Sequence, residues 1–124
     1  MPVTFRAWQD CRGTTAVEFA IVVPAFIALL VGTIYLCLGL FLAGSLEFAA
    51  VEGARCASVN TTVCTDASAT VSYTQSRYFG PYSSPTFTYA AAACGNSVTG
   101  SANFVANLGF KTVTIPITLS ACFP

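Results

Sequence analysis

Few residues of this chain have the types and spacing that chemistry requires. Its 124 residues include no histidine, which removes the commonest general base and a usual metal ligand. Beyond residue 50 the only acidic residues are Glu52 and Asp66, and no glycine-rich phosphate loop follows a strand pattern. The formal net charge is zero, so nothing indicates a surface for nucleic acid. We expect a protein that is not an enzyme and that binds no cofactor and no metal.

The six cysteines are the other group with chemical potential. Four of them lie after the long apolar segment of the chain and allow three pairings. We favour Cys56–Cys64, which would clamp the connection between two helices, and Cys94–Cys122, which would tie the C-terminus to a sheet. A zinc site is the alternative, and the absence of CxxC spacing disfavours it. The remaining two are expected to be unpaired: Cys11 and Cys37.

A long apolar segment must position all of these residues. From Phe19 to Leu46 no residue is charged, whereas a membrane-spanning helix needs about 20 such residues. The chain therefore divides into a leader (residues 1–13), a long apolar helix (14–57) and a head (58–124). A helix over 14–57 would be about 66 Å long, roughly twice the hydrocarbon thickness. We expect its first half to cross the membrane and its second half to pack outside.

The charges beside the apolar segment predict its orientation. Arg6 and Arg12 precede it, and Glu47 and Glu52 follow it. The positive-inside rule then places the N-terminus in the cytoplasm and the head on the other side of the membrane. That side is oxidising in bacteria, which suits the paired cysteines. We expect a single-pass protein of the bacterial inner membrane, with a periplasmic or extracellular head.

Glu18 borders the apolar segment, where an unpartnered carboxylate is costly. If the chain were cut after Gly13, Glu18 would become the fifth residue. Its carboxylate would then lie one helical turn from the new amino group on Thr14, and such a pair is favourable at low dielectric. The simpler interpretation is that Glu18 lies at the level of the lipid headgroups.

Small residues recur every four positions along one side of the apolar helix. Rows of this kind let helices approach closely within a bilayer. Gly39 and Ala43 repeat the spacing further along. The row predicts helix packing, and the proline within it removes one helical hydrogen bond and favours a bend. Its members are Ala16, Ala20, Pro24, Ala28 and Gly32.

The head pattern predicts an α+β fold. Thr65 and Asp66 favour the start of a short helix that ends at Arg77, with Ala67, Val71 and Tyr78 on its apolar face. Alternating residues predict an antiparallel sheet of about three strands. Cys94-Gly95-Asn96 is expected to form the first turn, and Pro116 restricts its strand to an edge or a bulge. The three predicted strands are 86–93, 97–105 and 112–121.

Several motifs together resemble a known family. They are Arg12-Gly13-x-x-Ala16-Val17-Glu18-Phe19-Ala20, Val23-Pro24, Leu30-x-Gly32 and Ala49-x-x-x-Gly53-Ala54-Arg55. As a set they resemble the TadE-like family, the minor pilins or pseudopilins of the tight-adherence (Tad, Flp) pilus system. The stretches 93–96 and 117–124 also resemble the sequences of members of this family.

The resemblance implies a pilin-like fold and a set of partners. A prepilin peptidase would cut after Gly13, and Glu18 would take part in processing and subunit registration. The other partners would be the lipid bilayer and further pilin-like subunits. The implied function is to support assembly of a pilus for surface adherence and biofilm. Two alternatives remain open: an uncut, membrane-anchored binding or adaptor domain, and a main filament-forming pilin.

Overall fold

The computed structural model describes residues 13–81 and 84–124. It confirms the α+β fold, with one long helix, one short helix and a three-stranded antiparallel sheet. The described residues fall into two compact units that meet within the long helix, between Ile34 and Tyr35. The predicted leader lies outside the described residues, apart from Gly13. The elements are α1 (Thr14–Val59), α2 (Ala67–Arg77), β1 (Thr86–Ala92), β2 (Gly95–Asn107) and β3 (Thr112–Phe123).

The first unit contains the amino-terminal part of α1. Almost every side chain from Thr14 to Ile34 is exposed, including large apolar ones such as Phe19 and Leu29. The helix continues through Pro24. By length and composition, α1 could cross a membrane, and its apolar surface indicates membrane anchoring.

The second unit contains the rest of α1, together with α2 and the sheet. Its core is a stripe of α1 residues at helical spacing, packed against the sheet. Leu42 and Leu46 are fully buried on the helix, and Phe87, Val98 and Phe104 cover them from β1 and β2. The remaining buried residues of the stripe are Ser45, Ala49, Ala50, Gly53, Ala54 and Cys56.

The sheet has the order β1-β2-β3, with both pairs antiparallel. β2 lies along α1, because Asn96 bonds to Ser58 near the helix end and Asn107 bonds to Tyr35. From Asn96 to Asn107, β2 rises by eleven residues, or about 36 Å. From Tyr35 to Ser58, α1 rises by 23 residues, or about 35 Å. The strand and this part of the helix therefore match in length.

Gly100 lies where β1 and α1 both approach β2. A Cβ at this position would lie 2.7 Å from the ring of Phe87 and 3.5 Å from Leu46. Phe87 and α1 can cover this face of β2 because Gly100 has no side chain. β3 has a single strand neighbour among the described residues, so Pro116 lies on an edge strand, as its missing N–H requires.

The apolar face predicted for α2 is wrong in part. Its fully buried residues are Thr70 and Thr74, whereas Ala67 is exposed and Val71 is half-buried. Both threonine hydroxyls donate to α2 backbone carbonyls, that of Thr70 to Asp66 at 2.8 Å and that of Thr74 to Thr70 at 2.7 Å. Their hydrogen-bonding groups are satisfied locally, so burial leaves no unpaired polar atom. The helix cap is as predicted, since Asp66 accepts a bond from the Ala69 amide at 2.7 Å.

The first hairpin turn lies one residue earlier than predicted. Its turn residues are Ala93 and Cys94, and Gly95 already pairs with Ala92 as the first residue of β2. Gly95 has φ of +119°, a conformation that favours glycine. Asn96 consequently belongs to the strand, and its side chain points back to α1.

The second unit contains two disulfides, and both join the pairs favoured from the sequence. Cys56–Cys64 links the last turn of α1 to the following loop, with a Cα–Cα distance of 5.9 Å. Cys94–Cys122 joins the β1–β2 turn to the end of β3, with 6.3 Å between the Cα atoms. Cys37 is unpaired and exposed in the described chain, and Cys11 lies outside the described residues.

Candidate functional site: the two parts of the long helix

The amino-terminal end of α1 carries the residues predicted for processing. The helix begins at Thr14, so the Gly13–Thr14 bond lies at its boundary. Gly13, Thr14 and Glu18 are all exposed. Glu18 lies four residues after Thr14, which corresponds to a rise of about 6 Å along the helix. The geometry therefore brings an accessible peptide bond and a carboxylate to the same end of the helix.

The predicted row of small residues is exposed along its whole length. It comprises Ala16, Ala20, Pro24, Ala28 and Gly32. A Cβ added at Gly32 would meet no atom within 4 Å in the described chain. The row is thus not used for packing within its own unit, and its shallow surface is available to lipid or to another helix.

Small residues in the second unit serve the head instead. Gly39 lies under the ring of Phe104, with 3.8 Å between the ring and the position of an added Cβ. Ala49 and Ala54 are buried in the core. The continuation of the row at Gly39, which the sequence suggests as helix packing between chains, therefore contacts the protein's own sheet.

Gly53 lies opposite Thr74, where α2 packs on α1. A Cβ at Gly53 would overlap Thr74 Oγ1 and would lie 3.1 Å from its Cβ and 3.3 Å from its Cγ2. Both residues are buried. The glycine is therefore required by the close approach of the two helices, and its place in the Ala49-x-x-x-Gly53 motif has a structural reason.

A polar network joins the end of α1 to the whole sheet. The hydroxyl of Tyr89 on β1 donates to Asn96 Oδ1 at 2.5 Å, and Asn96 Nδ2 donates to Ser58 Oγ at 2.8 Å. Ser58 Oγ in turn donates towards the carbonyl oxygens of Phe123, at 3.2 Å, and Ala54, at 3.3 Å. Sequence analysis missed this network because its members are distant in the chain and have no shared spacing.

A second contact missed from the sequence holds the other end of the sheet. The Tyr35 hydroxyl donates to the Asn107 carbonyl at 2.6 Å, and its ring packs edge-on against Phe104 with 6.4 Å between centroids. Tyr35 is the single tyrosine of the uncharged apolar segment. Its hydroxyl is one of the few polar groups in that segment, besides Thr33 and Ser45, and this was the available signal.

The arrangement offers surfaces that are suited to packing. Among residues 13–81 and 84–124, no three histidine, cysteine, aspartate or glutamate side chains form a cluster that could hold a metal. The distinctive features are an exposed apolar helix, a glycine at its start and a disulfide-linked head. Such features are typical of a subunit that is anchored and assembled.

Part of this chain matches a known protein family. Residues 13–55 match the TadE-like protein family. The TadE-like segment begins at the glycine before α1 and ends within that helix, at Arg55. The match confirms the resemblance over these residues. No curated protein and no solved structure matches the chain.

The TadE-like segment includes both parts of α1. It contains the exposed row from Ala16 to Gly32 and also the buried Ala49 and Gly53. The motif therefore combines two physical requirements: a small-residue surface at the amino-terminal end and a docking stripe for a head. Residues 56–124 lie outside the match.

Proposed function

We propose that this chain is a minor pilin-like (pseudopilin) subunit that supports assembly of a Tad/Flp-type pilus for surface adherence and biofilm. It is inserted in the bacterial inner membrane with its N-terminus in the cytoplasm and its head outside. One observation carries the proposal: the TadE-like segment starts at Gly13, the helix starts at the next residue, and Glu18 follows one turn later.

Cleavage after Gly13 by a prepilin peptidase gives Glu18 a specific role. A helix N-terminus carries a partial positive charge, and a new ammonium group on Thr14 adds a full one. A carboxylate one turn along the helix offsets this concentration of positive charge, most effectively at the low dielectric of a membrane or a filament interior. The carboxylate can serve its own chain or a neighbouring subunit.

The function proposed here is structural and includes no chemical step. The exposed row from Ala16 to Gly32 contacts other pilin-like subunits, and the remaining apolar surface contacts lipid before assembly. The head is kept rigid by its two disulfides and by the contacts of Gly53 and Asn96. The absence of histidine from the sequence agrees with a role other than catalysis.

The test replaces Glu18 in a strain that assembles Tad pili and lacks its own copy of this chain. We expect E18Q to lower the amount of pilus in the sheared fraction, and surface attachment with it, by about tenfold, which corresponds to about 1.4 kcal/mol of lost pairing. E47Q is the matched control, because Glu47 is also an exposed carboxylate on α1. That variant should assemble normally.

Equal assembly by E18Q, E47Q and the unchanged protein would contradict the proposal. It would favour the uncut, membrane-anchored binding or adaptor domain, for which Glu18 needs no partner. A main filament-forming pilin is distinguished by abundance. In that case this chain would be the principal protein of the sheared filaments, whereas a minor subunit is present at a small fraction of the principal pilin.

A further inference from the structure

The tip of the β2–β3 hairpin, residues 108–111, is an ordered turn. The Leu108 amide donates to the Lys111 carbonyl at 2.9 Å, and the Gly109 amide donates to Asn107 Oδ1 at 3.0 Å. The Asn107 carbonyl is held in turn by the Tyr35 hydroxyl. The backbone of the turn is thus fixed to α1.

This tip lies beside α1 before the buried stripe of that helix begins. The core on the helix begins at Leu42, whereas the tip is attached at Tyr35, seven residues earlier. Seven helical residues correspond to about 10 Å. The tip therefore lies beyond the first buried residue of α1, alongside a stretch of helix whose Leu36 and Leu40 are 63% and 65% exposed.

The tip itself is apolar and carries one positive charge. Phe110 is 89% exposed and Leu108 is 41% exposed, although both belong to a fixed turn. Lys111 beside them is exposed, and it is the single charged residue between position 78 and the end of the chain. Exposed apolar side chains next to a basic residue are suited to the boundary between acyl chains and anionic headgroups.

The position of the tip on α1 agrees with that boundary. If Glu18 lies at one face of the bilayer, about 20 residues of helix reach the other face near Leu38. Tyr35 then lies within one turn of this second face, where tyrosine is enriched in membrane proteins. The estimate uses the helix alone and does not depend on cleavage of the leader.

We propose that the tip docks on the outer surface of the lipid bilayer, with Phe110 and Leu108 inserted among the acyl chains and Lys111 at the lipid phosphates. The contact is a second attachment of the head to the membrane, in addition to α1. It fixes the distance of the head from the bilayer before the subunit leaves the membrane. Lipid is favoured over a second copy because the tip lies beside the uncharged apolar segment and the one local charge is basic.

The test places a single tryptophan at the tip of the full-length chain. Trp8 is the one tryptophan of the sequence, so W8F provides the background. F110W is compared with V63W, because Val63 is 49% exposed in the loop that follows α1. Both proteins are reconstituted in nanodiscs of phosphatidylcholine and phosphatidylglycerol, with acyl chains brominated near the headgroup. Exposed positions are chosen so that the fold is retained, which circular dichroism checks.

We expect the brominated lipid to reduce the fluorescence of F110W by about twofold or more and to leave V63W nearly unchanged, as for a side chain at the membrane interface. Adding K111Q to F110W should reduce the quenching in discs rich in phosphatidylglycerol. Absence of quenching in F110W would overturn the proposal, and so would equal quenching in both proteins. Contact of the tip with a second copy would also give no quenching and would count against it.

Discussion

At the scale of single residues, Gly53 shows how one position can satisfy the fold. It allows Thr74 to lie directly against the α1 backbone, while the Thr74 hydroxyl is satisfied by Thr70. Glycine inside a helix normally destabilises it by about 1 kcal/mol relative to alanine. At Gly53 this cost is offset by the close packing of α2 on α1. At an open position such as Gly44 there is no such packing to offset it.

We expect G53A to destabilise the protein and G44A not to destabilise it. The added methyl of G53A overlaps Thr74, and such overpacking costs about 1–3 kcal/mol. At Gly44 an added Cβ meets no atom within 4 Å in the described chain, so G44A should be neutral or stabilise by up to about 1 kcal/mol. Thermal unfolding of the full chain in detergent, followed by circular dichroism, measures both.

A double variant checks the cause of the G53A effect. If the overlap with Thr74 is responsible, T74A should recover part of the loss, and the two changes should not be additive. A stability of G53A equal to that of G44A would show that α1 and α2 do not approach as the structure has them.

Only some of the polar contacts made by single residues could be predicted from the sequence. Asp66 was predicted as a helix cap because capping depends on neighbours three residues away. The Tyr35–Asn107 bond joins residues 72 positions apart, and no spacing rule connects them. The roles of Gly13, Thr14 and Glu18 stay predictions, since they concern a peptidase and neighbouring subunits.

At the scale of elements, α1 combines two surfaces that composition alone does not separate. Both parts are rich in alanine and in branched aliphatic residues. The part from Tyr35 onwards has a buried stripe that begins at Leu42, whereas the part before it is exposed on all sides. The difference arises from the sheet, since β2 matches α1 in length only from Tyr35 to Ser58.

We expect the exposed row to matter for assembly and not for the fold of the subunit. A28L places a large side chain in the row, whereas F26W enlarges an exposed residue about 160° away around the helix. Both variants should unfold at the same temperature as the unchanged protein. A28L should lower incorporation into sheared pili several-fold, because close helix contacts require small residues. Quantitative immunoblots of that fraction measure the incorporation. Equal incorporation of the two variants would contradict a role of the row in subunit packing.

The strands were predicted to different extents for a physical reason. β3 alternates large apolar residues with threonines, so its predicted range, 112–121, is close to the observed Thr112–Phe123. β2 is rich in glycine, alanine and serine, and its extension to Asn107 was missed. Its small residues reflect close packing under Phe87 and along α1, which is a tertiary requirement that periodicity does not report.

At the scale of the whole molecule, the sequence predicted the class of fold, the two disulfide pairs and the apolar anchor. These follow from hydrophobic runs, turn residues and the positions of cysteines, which are local properties. What it did not predict is how the sheet is fixed to the helix at both of its ends, through Tyr35 and through Ser58. Those contacts lie within the compact unit that contains the head and the part of α1 from Tyr35 onwards.

The central claim is that this chain becomes a pilin-like subunit by cleavage after Gly13. Its most direct test is the intact mass of the protein extracted from membranes, after expression with an active prepilin peptidase, with an inactive variant of that peptidase, or with none. The account predicts a mature chain that starts at Thr14 only when the active peptidase is present. A chain that still starts at Met1 with the active peptidase would contradict it, and would make the protein a permanent membrane anchor for its head.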